Sequence, residues 1–318
     1  MKSFVCEMCG GNDLEKTDGM YVCKSCGTKF TPEEAKKLLV EVTVKQDNSQ
    51  KSENLLSAAR KAREAHNWKS AEVYYQDLFA EDPDNWEAAY FSVYAVSMQC
   101  KIANIASACN DVYNMLSVAL PLVKKAPDDE WDLAVRTISE YTIDIANTMY
   151  MSASNHYLEI DSSIAYKYKG ELQTRQYSAM KLVLFCGELI DSLFGDTDAG
   201  KYSVNPIIEG LHFKMHNITV TLTLPESYEE KCLNIIGKYE PEKATELRET
   251  IKFEKEKKVK SNLTGGLIFA ILGAVCIFCG FNVAEDDFWQ LFLQFFGYFL
   301  VGMGAIRLII YALTKLTD

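Results

Sequence analysis

The spacing of apolar residues along this chain changes twice. Up to about residue 52 it follows no helical period, between 53 and 260 it recurs every three to four residues, and from 263 to 313 almost every position is apolar. In the first part, "TPEEAKKLL" predicts a short helix with Thr31 as N-cap, Pro32 at its first position and Glu34 closing a capping box. That helix is expected to end near Val40. The polar stretch "VTVKQDNSQKSEN" then reads as a flexible linker.

The periodic part predicts a series of helices. In "ENLLSAARKAREAHNWKSAEVYYQDLFAEDPDNWEAAYF" two amphipathic helices meet at the turn "HNW". The second stops at Asp82-Pro83, and a third opens at "DNWE", capped through Asp84 and Glu87. "NIASACNDVYNMLSVALPLVKK" continues the pattern. A long helix follows in "PDDEWDLAVRTISEYTIDIANTMYMSASNHYLEI", with an acidic first turn. Another in "GELQTRQYSAMKLVLFCGELIDSLFG" stops near Gly195. "ITVTLTLP" alternates like a strand but follows a helical pattern from Pro206, and helix is the preferred reading.

The apolar part predicts two membrane spans. "LTGGLIFAILGAVCIFCGFNV" carries no charge over about twenty residues, enough to cross a hydrocarbon core of about 30 Å as a helix. "NVAEDDFWQ" breaks the run, and "LFLQFFGYFLVGMGAIRLIIYALTK" forms the second span. Lysines precede the first span, with Glu254–Lys258 and Glu256–Lys260 spaced as ion pairs. Glu285, Asp286 and Asp287 lie between the spans, and Lys315 follows. Positive-inside reasoning places both termini in the cytoplasm. Trp289 and Tyr311 suit the interfaces, and Arg307 can snorkel at the inner end. Gly266, Gly273 and Gly280, with Gly297 and Gly304, form smooth stripes that let the spans pack closely or let hairpins associate as homo-oligomers.

Cysteine spacing adds chemistry. Cys6 and Cys9, then Cys23 and Cys26, form two C-x-x-C-G knuckles separated by thirteen residues. The glycine after each second cysteine lets the backbone turn back so that amides point at the sulfurs. Four thiolates on two such turns match tetrahedral zinc, and the intervening segment reads as strand–turn–strand with the turn at Gly19. About thirty residues cannot build a core alone, so metal binding supplies most of the folding free energy. The stretch from Phe4 to Phe30 resembles the zinc-ribbon family. The resemblance implies a structural Zn2+ held by Cys6, Cys9, Cys23 and Cys26. With four protein ligands no coordination position is open for catalysis. Phe4, Tyr21 and Phe30 are needed for the module's own packing. The third C-x-x-C, Cys276 and Cys279, sits inside an uncharged span and reads as packing residues. Cys100, Cys109, Cys186 and Cys232 read as small hydrophobes in a reducing compartment.

A second resemblance lies in the helical part. Ala71, Tyr75, Leu78 and Pro83 follow the small, aromatic, aliphatic, proline pattern of a tetratricopeptide repeat. Small Ala71 lets two helices approach, Tyr75 fills the gap between them, and Pro83 ends the second. A shift of thirty-four residues lands on Ile105, Cys109, Val112 and Ser117, so only apolar character persists and the proline is gone. One repeat cannot bury its face alone, and neighbouring helices must stack on it.

Charge and residue content remove several functions. A net charge of −11 disfavours general nucleic-acid binding, and lysines in the ribbon segment are offset by Glu7, Asp13, Glu15 and Asp18. "MKSFVCEMCGG" lacks the apolar run of a secretory signal. His212 and His216 are one helical turn apart but have no carboxylate between them and read as ordinary histidines. "DAGKYS" is not a phosphate loop. No catalytic constellation is found. Tyr166 and Tyr168 read as packing between helices, with a peptide groove as the alternative. The expected fold is mainly α. It comprises a small β zinc ribbon (1–30), a short helix and linker (31–52), a tetratricopeptide-like body (53–260) and a two-helix transmembrane hairpin (261–318). The expected function is a non-enzymatic, membrane-anchored scaffold that binds a protein partner. A membrane-tethered nucleic-acid binder is the alternative.

Overall fold

A computed structural model describes residues 6–316 apart from 12, 216, 218 and 283–286; for 37–50, 258, 280–282, 287–289 and 314–316 the description stops at the backbone. The chain divides into two compact units, Met1–Thr223 and Leu224–Asp318.

The first unit begins with a three-stranded antiparallel sheet. β1 (Leu14–Thr17) pairs with β2 (Met20–Cys23) in a register that sets Leu14 against Cys23 and Thr17 against Met20. The two-residue turn between them is Asp18-Gly19, with φ of 52° and 82°. Left-handed conformation at both positions matches the right-handed twist of a hairpin. β3 (Lys29–Phe30) adds to β2, placing Phe30 against Tyr21. The core of this module is Cys6, Cys23, Phe30 and Ala35, with Leu14 and Tyr21 packed against it. Phe4 lies outside the described residues.

Ala35 belongs to α1 (Pro32–Glu64), so the first turn of that helix completes the module. The expected capping box is present: Thr31 Oγ1 accepts from the Glu34 amide at 3.2 Å, and Glu34 Oε2 accepts from the Thr31 amide at 2.8 Å. The expected stop near Val40 is not observed. α1 runs unbroken through the segment read as a linker. No glycine or proline interrupts residues 33–64, and Lys, Glu, Gln and Ala predominate. A polar sequence removes a helix's burial partner without removing its propensity.

α2 (Trp68–Glu81) and α3 (Trp86–Ser97) follow, capped by the side chains of Asn67 and Asn85, which accept from Ser70 and Ala88 amides. The cap of α3 is therefore Asn85 rather than Asp84, and Glu87 is not a capping acid. Glu87 points inward and is only 5% exposed. Its carboxylate accepts from Arg60 Nε at 2.9 Å, Arg63 Nη1 at 3.2 Å and the Tyr75 hydroxyl at 3.1 Å. Arg63 also lies over the rings of Phe91 and Tyr141, 4.1 and 5.1 Å from their centroids. Three helices thus meet at one buried carboxylate.

The unit is completed by α4 (Ile105–Lys125), α5 (Trp131–Leu158), α6 (Lys169–Phe194) and α7 (Val204–Met215). α1, α2, α3 and α4 pack in chain order, and α6 then packs against α4, α5 and α7. Ala71, Tyr75 and Leu78 are buried on α2, and the shifted positions Ile105, Cys109 and Val112 are buried on α4. At Ser117 the pattern lapses, because α4 continues to Lys125. Gly187 and Gly210 set the α6–α7 approach: an added Cβ would lie 2.4 Å from Ile207 Cγ1 at the first and 2.5 Å from Leu184 Cδ2 at the second. Tyr166 and Tyr168 do not pack between helices; they sit exposed in the short turn before α6.

Over its described residues, 219–225, the segment "ITVTLTLP" is neither helix nor strand. After α7 the chain has no regular structure at 221–225. Asn217 Oδ1 accepts from the amides of Thr219 and Val220 at 3.1 and 3.0 Å, and the Thr221 carbonyl accepts from Gln173 Nε2 at 2.8 Å. A side chain competing for the backbone, followed by β-branched residues and Pro225, ends the helical run.

The second unit contains α8 (Glu226–Tyr239), α9 (Pro241–Asn282) and α10 (Asp287–Leu316). The expected boundary at residue 260 is absent, because α9 continues without a break from its polar half into its apolar half. α8 packs on that polar half. The glycine stripes face each other: a Cβ at Gly273 would lie 2.7 Å from the Gly297 carbonyl, and one at Gly304 would lie 2.8 Å from the Gly266 carbonyl.

Removing Glu87 leaves Arg63, whose side chain is 12% exposed, without its counter-charge. Glu87→Ala is expected to destabilise the chain by about 3–5 kcal/mol. Ala71→Leu is expected to overpack its contact by about 1–3 kcal/mol. Lys69→Glu, on the exposed side of α2, is expected to stay within about 0.5 kcal/mol. Denaturant unfolding of the purified chain, followed by circular dichroism, measures all three.

Candidate metal centre and apolar hairpin

Each cysteine knuckle is built by the same pair of backbone hydrogen bonds. In the first, the Cys6 amide donates to the Gly11 carbonyl and the Gly10 amide to the Cys6 carbonyl, both at 2.8 Å. In the second, the Cys23 amide donates to the Thr28 carbonyl at 2.9 Å and the Gly27 amide to the Cys23 carbonyl at 2.8 Å. Gly10 and Gly27 hold φ of 71° and 76°, the left-handed region where a Cβ costs about 1–2 kcal/mol. Gly11 does something different. An added Cβ there would lie 2.5 Å from Ser25 Oγ, so its bareness lets the two knuckles face each other closely. Spacing alone drew attention to the glycine after each Cys pair and passed over Gly11.

The knuckles bring Cys6, Cys9, Cys23 and Cys26 together with all four sulfurs within 4.8 Å of one another. Cys6 Sγ is 3.6 Å from Cys26 Sγ, and Cys9 Sγ is 3.6 Å from Cys23 Sγ. A disulfide needs about 2.05 Å. A tetrahedral ion with metal–sulfur bonds of about 2.3 Å sets its sulfurs about 3.8 Å apart. The group therefore fits a four-thiolate metal site. Cys6 and Cys23 are buried, whereas Cys9 and Cys26 face outward.

Local hydrogen bonding favours the thiolate at two of the four sulfurs. Cys26 is held down to about 6, first by the Thr28 hydroxyl 3.1 Å from its sulfur and then by the Thr28 amide. Cys23 is lowered chiefly by the Cys26 amide. The Gly11 amide pulls Cys9 in the same direction, yet sharing a proton with Cys26, partial desolvation, and the Cys23 and Cys6 sulfurs together raise Cys9 to about 12. Four adjacent thiolates repel one another, and a bound cation removes that penalty.

The other sequence candidates are not gathered this way. Cys276 and Cys279 lie within the unbroken α9, where no turn frees the backbone to form a knuckle. Cys109, Cys186 and Cys232 are buried, and burial pushes the Cys109 and Cys186 thiols up to about 12, so they stay neutral. Cys100 is half-buried. His212 lies on α7 and His216 outside the described residues. Among the described residues, the four-cysteine group is the one cluster of three or more His, Cys, Asp or Glu placed to hold an ion.

α9 and α10 are each long and apolar enough to cross a membrane. Only 11% and 17% of the two apolar windows are buried, unlike the core helix of a water-soluble domain. Arg307 is accommodated at Gly265, where an added Cβ would collide with its guanidinium, and it lies 5.1 Å over the Phe269 ring. Gly265 was not among the glycines singled out by the seven-residue stripe. The acidic loop residues Glu285 and Asp286 lie outside the described residues. The side chains of Lys258, Asp287, Trp289 and Lys315, and residue Gly280, are described only as backbone. Lys257 pairs with Glu254 at 3.9 Å, and Lys255 pairs with Glu226 at 2.7 Å.

No family model matches the chain, and neither a curated protein nor a solved structure resembles it.

Purified protein is expected to carry about one metal equivalent per chain, since four thiolates make one tetrahedral site. Elemental analysis should show that equivalent lost in Cys23→Ser and kept in Cys276→Ser. Full metal content in Cys23→Ser would refute the site.

Proposed function

We propose that this protein is a membrane-anchored cytoplasmic scaffold without enzymatic activity. In this reading the N-terminal module is a zinc ribbon whose Zn2+ is held by Cys6, Cys9, Cys23 and Cys26. A tetratricopeptide-like body built around Ala71, Tyr75 and Pro83 presents a surface to a protein partner. The hairpin α9–α10 spans the bilayer with both termini in the cytoplasm, and the ribbon serves as a second docking module. All-cysteine ligation supports a structural role for the ion, because closed zinc sites hold folds together and catalytic ones keep a position open. The lysine-rich approach to α9 supports the orientation.

The observation that carries the partner-binding reading is where the body leaves large apolar side chains in water. Elsewhere on the body they are scattered singly. Six of them fall in one stretch of chain running from the end of α5 into the start of α6: Met151, Leu158 at 75% exposure, Ile164, Tyr166 at 66%, Tyr168 and Tyr177. Exposed apolar residues grouped in this way mark protein-binding surfaces, and tyrosine is enriched in them.

Leu158→Glu and Tyr166→Glu are expected to leave the fold intact and to reduce capture of the partner from detergent extract by about tenfold or more. Nuclease treatment should leave capture unchanged. Capture that is nuclease-sensitive and survives both substitutions would assign binding to the ribbon and a nucleic acid. For topology, Asp287→Cys with Cys276 and Cys279 changed to alanine should react with an impermeant thiol reagent added outside intact cells. Reaction of the N-terminal cysteines instead would reverse the orientation.

A further inference from the structure

Within the second unit, α8, the polar half of α9 and the end of α10 enclose a cavity of about 710 Å3. That volume lies within the range of small-molecule sites, about 300–1,000 Å3. Its apolar lining is Leu233 from α8, Ile251, Val259 and Leu263 from α9, and Tyr311 from α10. Leu263 lies at the start of the apolar run of α9 and Tyr311 near the end of that of α10. The cavity is therefore continuous with the surface that would meet lipid.

The charged lining separates into committed and uncommitted groups. Arg248 donates to Glu230 at 2.9 Å and to Asn234 at 2.7 Å. Lys255 donates to Glu226 at 2.7 Å and lies 3.9 Å from the buried Glu229. These bases are neutralised by carboxylates within the cavity wall. Lys252 and Lys260 also line the cavity, and among the described residues their ammonium groups take part in no ion pair or hydrogen bond. Glu256 is the one uncommitted lining carboxylate among those residues. Taken together, Arg248, Lys252, Lys255 and Lys260 balance Glu226, Glu229, Glu230 and Glu256, so the lining is neutral as a whole and its attraction for an anion is local, at Lys252 and Lys260.

Depth selects the ligand. Lys260 precedes Leu263 by three residues, about 4.5 Å along the helix, which is the level of lipid phosphates when Leu263 sits at the hydrocarbon edge. Lys252 lies about 12 Å farther out along the same helix, beyond the phosphate level, where it attracts an anionic headgroup. A ligand that fits has a phosphate at Lys260 and a hydrocarbon chain passing Leu263 and Tyr311.

We propose that this cavity is a binding site for an anionic glycerophospholipid, its phosphate at Lys260 and its upper acyl chain against Val259, Leu263 and Tyr311. The proposal rests on reading α9 and α10 as a bilayer-spanning hairpin.

The test is native mass spectrometry of the full-length protein in detergent, with added phosphatidylglycerol or phosphatidylcholine of identical acyl chains. One phosphatidylglycerol should be retained per chain, in preference to phosphatidylcholine by about fivefold or more. Lys260→Glu should remove the preference, Lys252→Glu should weaken it, and Glu256→Gln should strengthen it. Val259→Trp narrows the cavity beside Leu263 while keeping every charge and should also weaken retention. Lys257→Glu is the control, since Lys257 pairs with Glu254 and does not line the cavity. Equal retention of both lipids, an equal loss in Lys257→Glu, or undiminished retention in Val259→Trp would overturn the site. Displacement by soluble glycerol 3-phosphate would likewise overturn it, because the occupant would then be a free phosphate. Alkaline extraction of phosphatidylcholine vesicles carrying the protein separates the two levels of failure. A chain released by the wash refutes the hairpin reading and the site together. A chain that stays but shows no phosphatidylglycerol preference refutes the site alone.

Discussion

A carboxylate sealed inside a helical protein demands partners, and Glu87 imposes that demand on the first unit. Its desolvation is offset when Arg60, Arg63 and Tyr75 all reach it, so α1, α2 and α3 have to arrive in one arrangement. The constraint extends further. α3, held this way, directs the Tyr94 hydroxyl at Asp144 at 2.7 Å and the Tyr90 hydroxyl at Thr142 at 2.8 Å, both on α5. Thr142 donates to the Ile138 carbonyl, which leaves the Tyr90 hydroxyl as donor in that pair. Burial raises the phenols of Tyr90 and Tyr94 well above their ordinary range, so they remain neutral hydrogen-bond donors. A line of polar contacts therefore runs from α1 to α5 through a core of aromatic rings, where hydrophobic packing alone would tolerate more than one arrangement.

The N-terminal module solves a different problem. Among the described residues its buried apolar content is Phe30 and Ala35 beside two cysteines, with Leu14 and Tyr21 packed against them, which is little for holding a fold by hydrophobic burial. The four sulfurs are placed to hold an ion that would take over that role, and the helix that follows contributes Ala35. Knuckle geometry depends on left-handed glycines at 10 and 27 and on the bare Gly11 between the two halves.

The second unit carries charged and uncharged sequence on one helix. α9 is helical from Pro241 to Asn282, although its first half carries charges and its second half carries none. In the apolar half bare glycines let the two backbones approach, Gly273 against Gly297 and Gly304 against Gly266. Gly265 provides the recess in which Arg307 lies across to α9.

Legibility followed the range of the interactions. Local chemistry was readable in the chain: the Thr31–Glu34 capping box, the Asp18-Gly19 turn, the ends of α5 and α6, the four sulfurs and the two apolar runs all follow from neighbours a few residues apart. The extent of α1 was misjudged because polarity was read as disorder, while propensity kept the backbone helical. "ITVTLTLP" was misjudged because its contacts are with Asn217 and with α6, forty-eight residues away in the case of Gln173. Glu87 was read as a cap, since an acid in a first turn fits that role and the two arginines and the tyrosine that claim it are distant in sequence. Sequence by itself determined most of the helices, which four cysteines would meet and which two helices would be long and apolar. Tertiary structure alone decided that Glu87 turns inward, that Gly11 and Gly265 are clearances, and that Lys252 and Lys260 are left uncommitted beside a cavity. Each of those depends on what a second element brings within a few ångströms, and no local pattern encodes it.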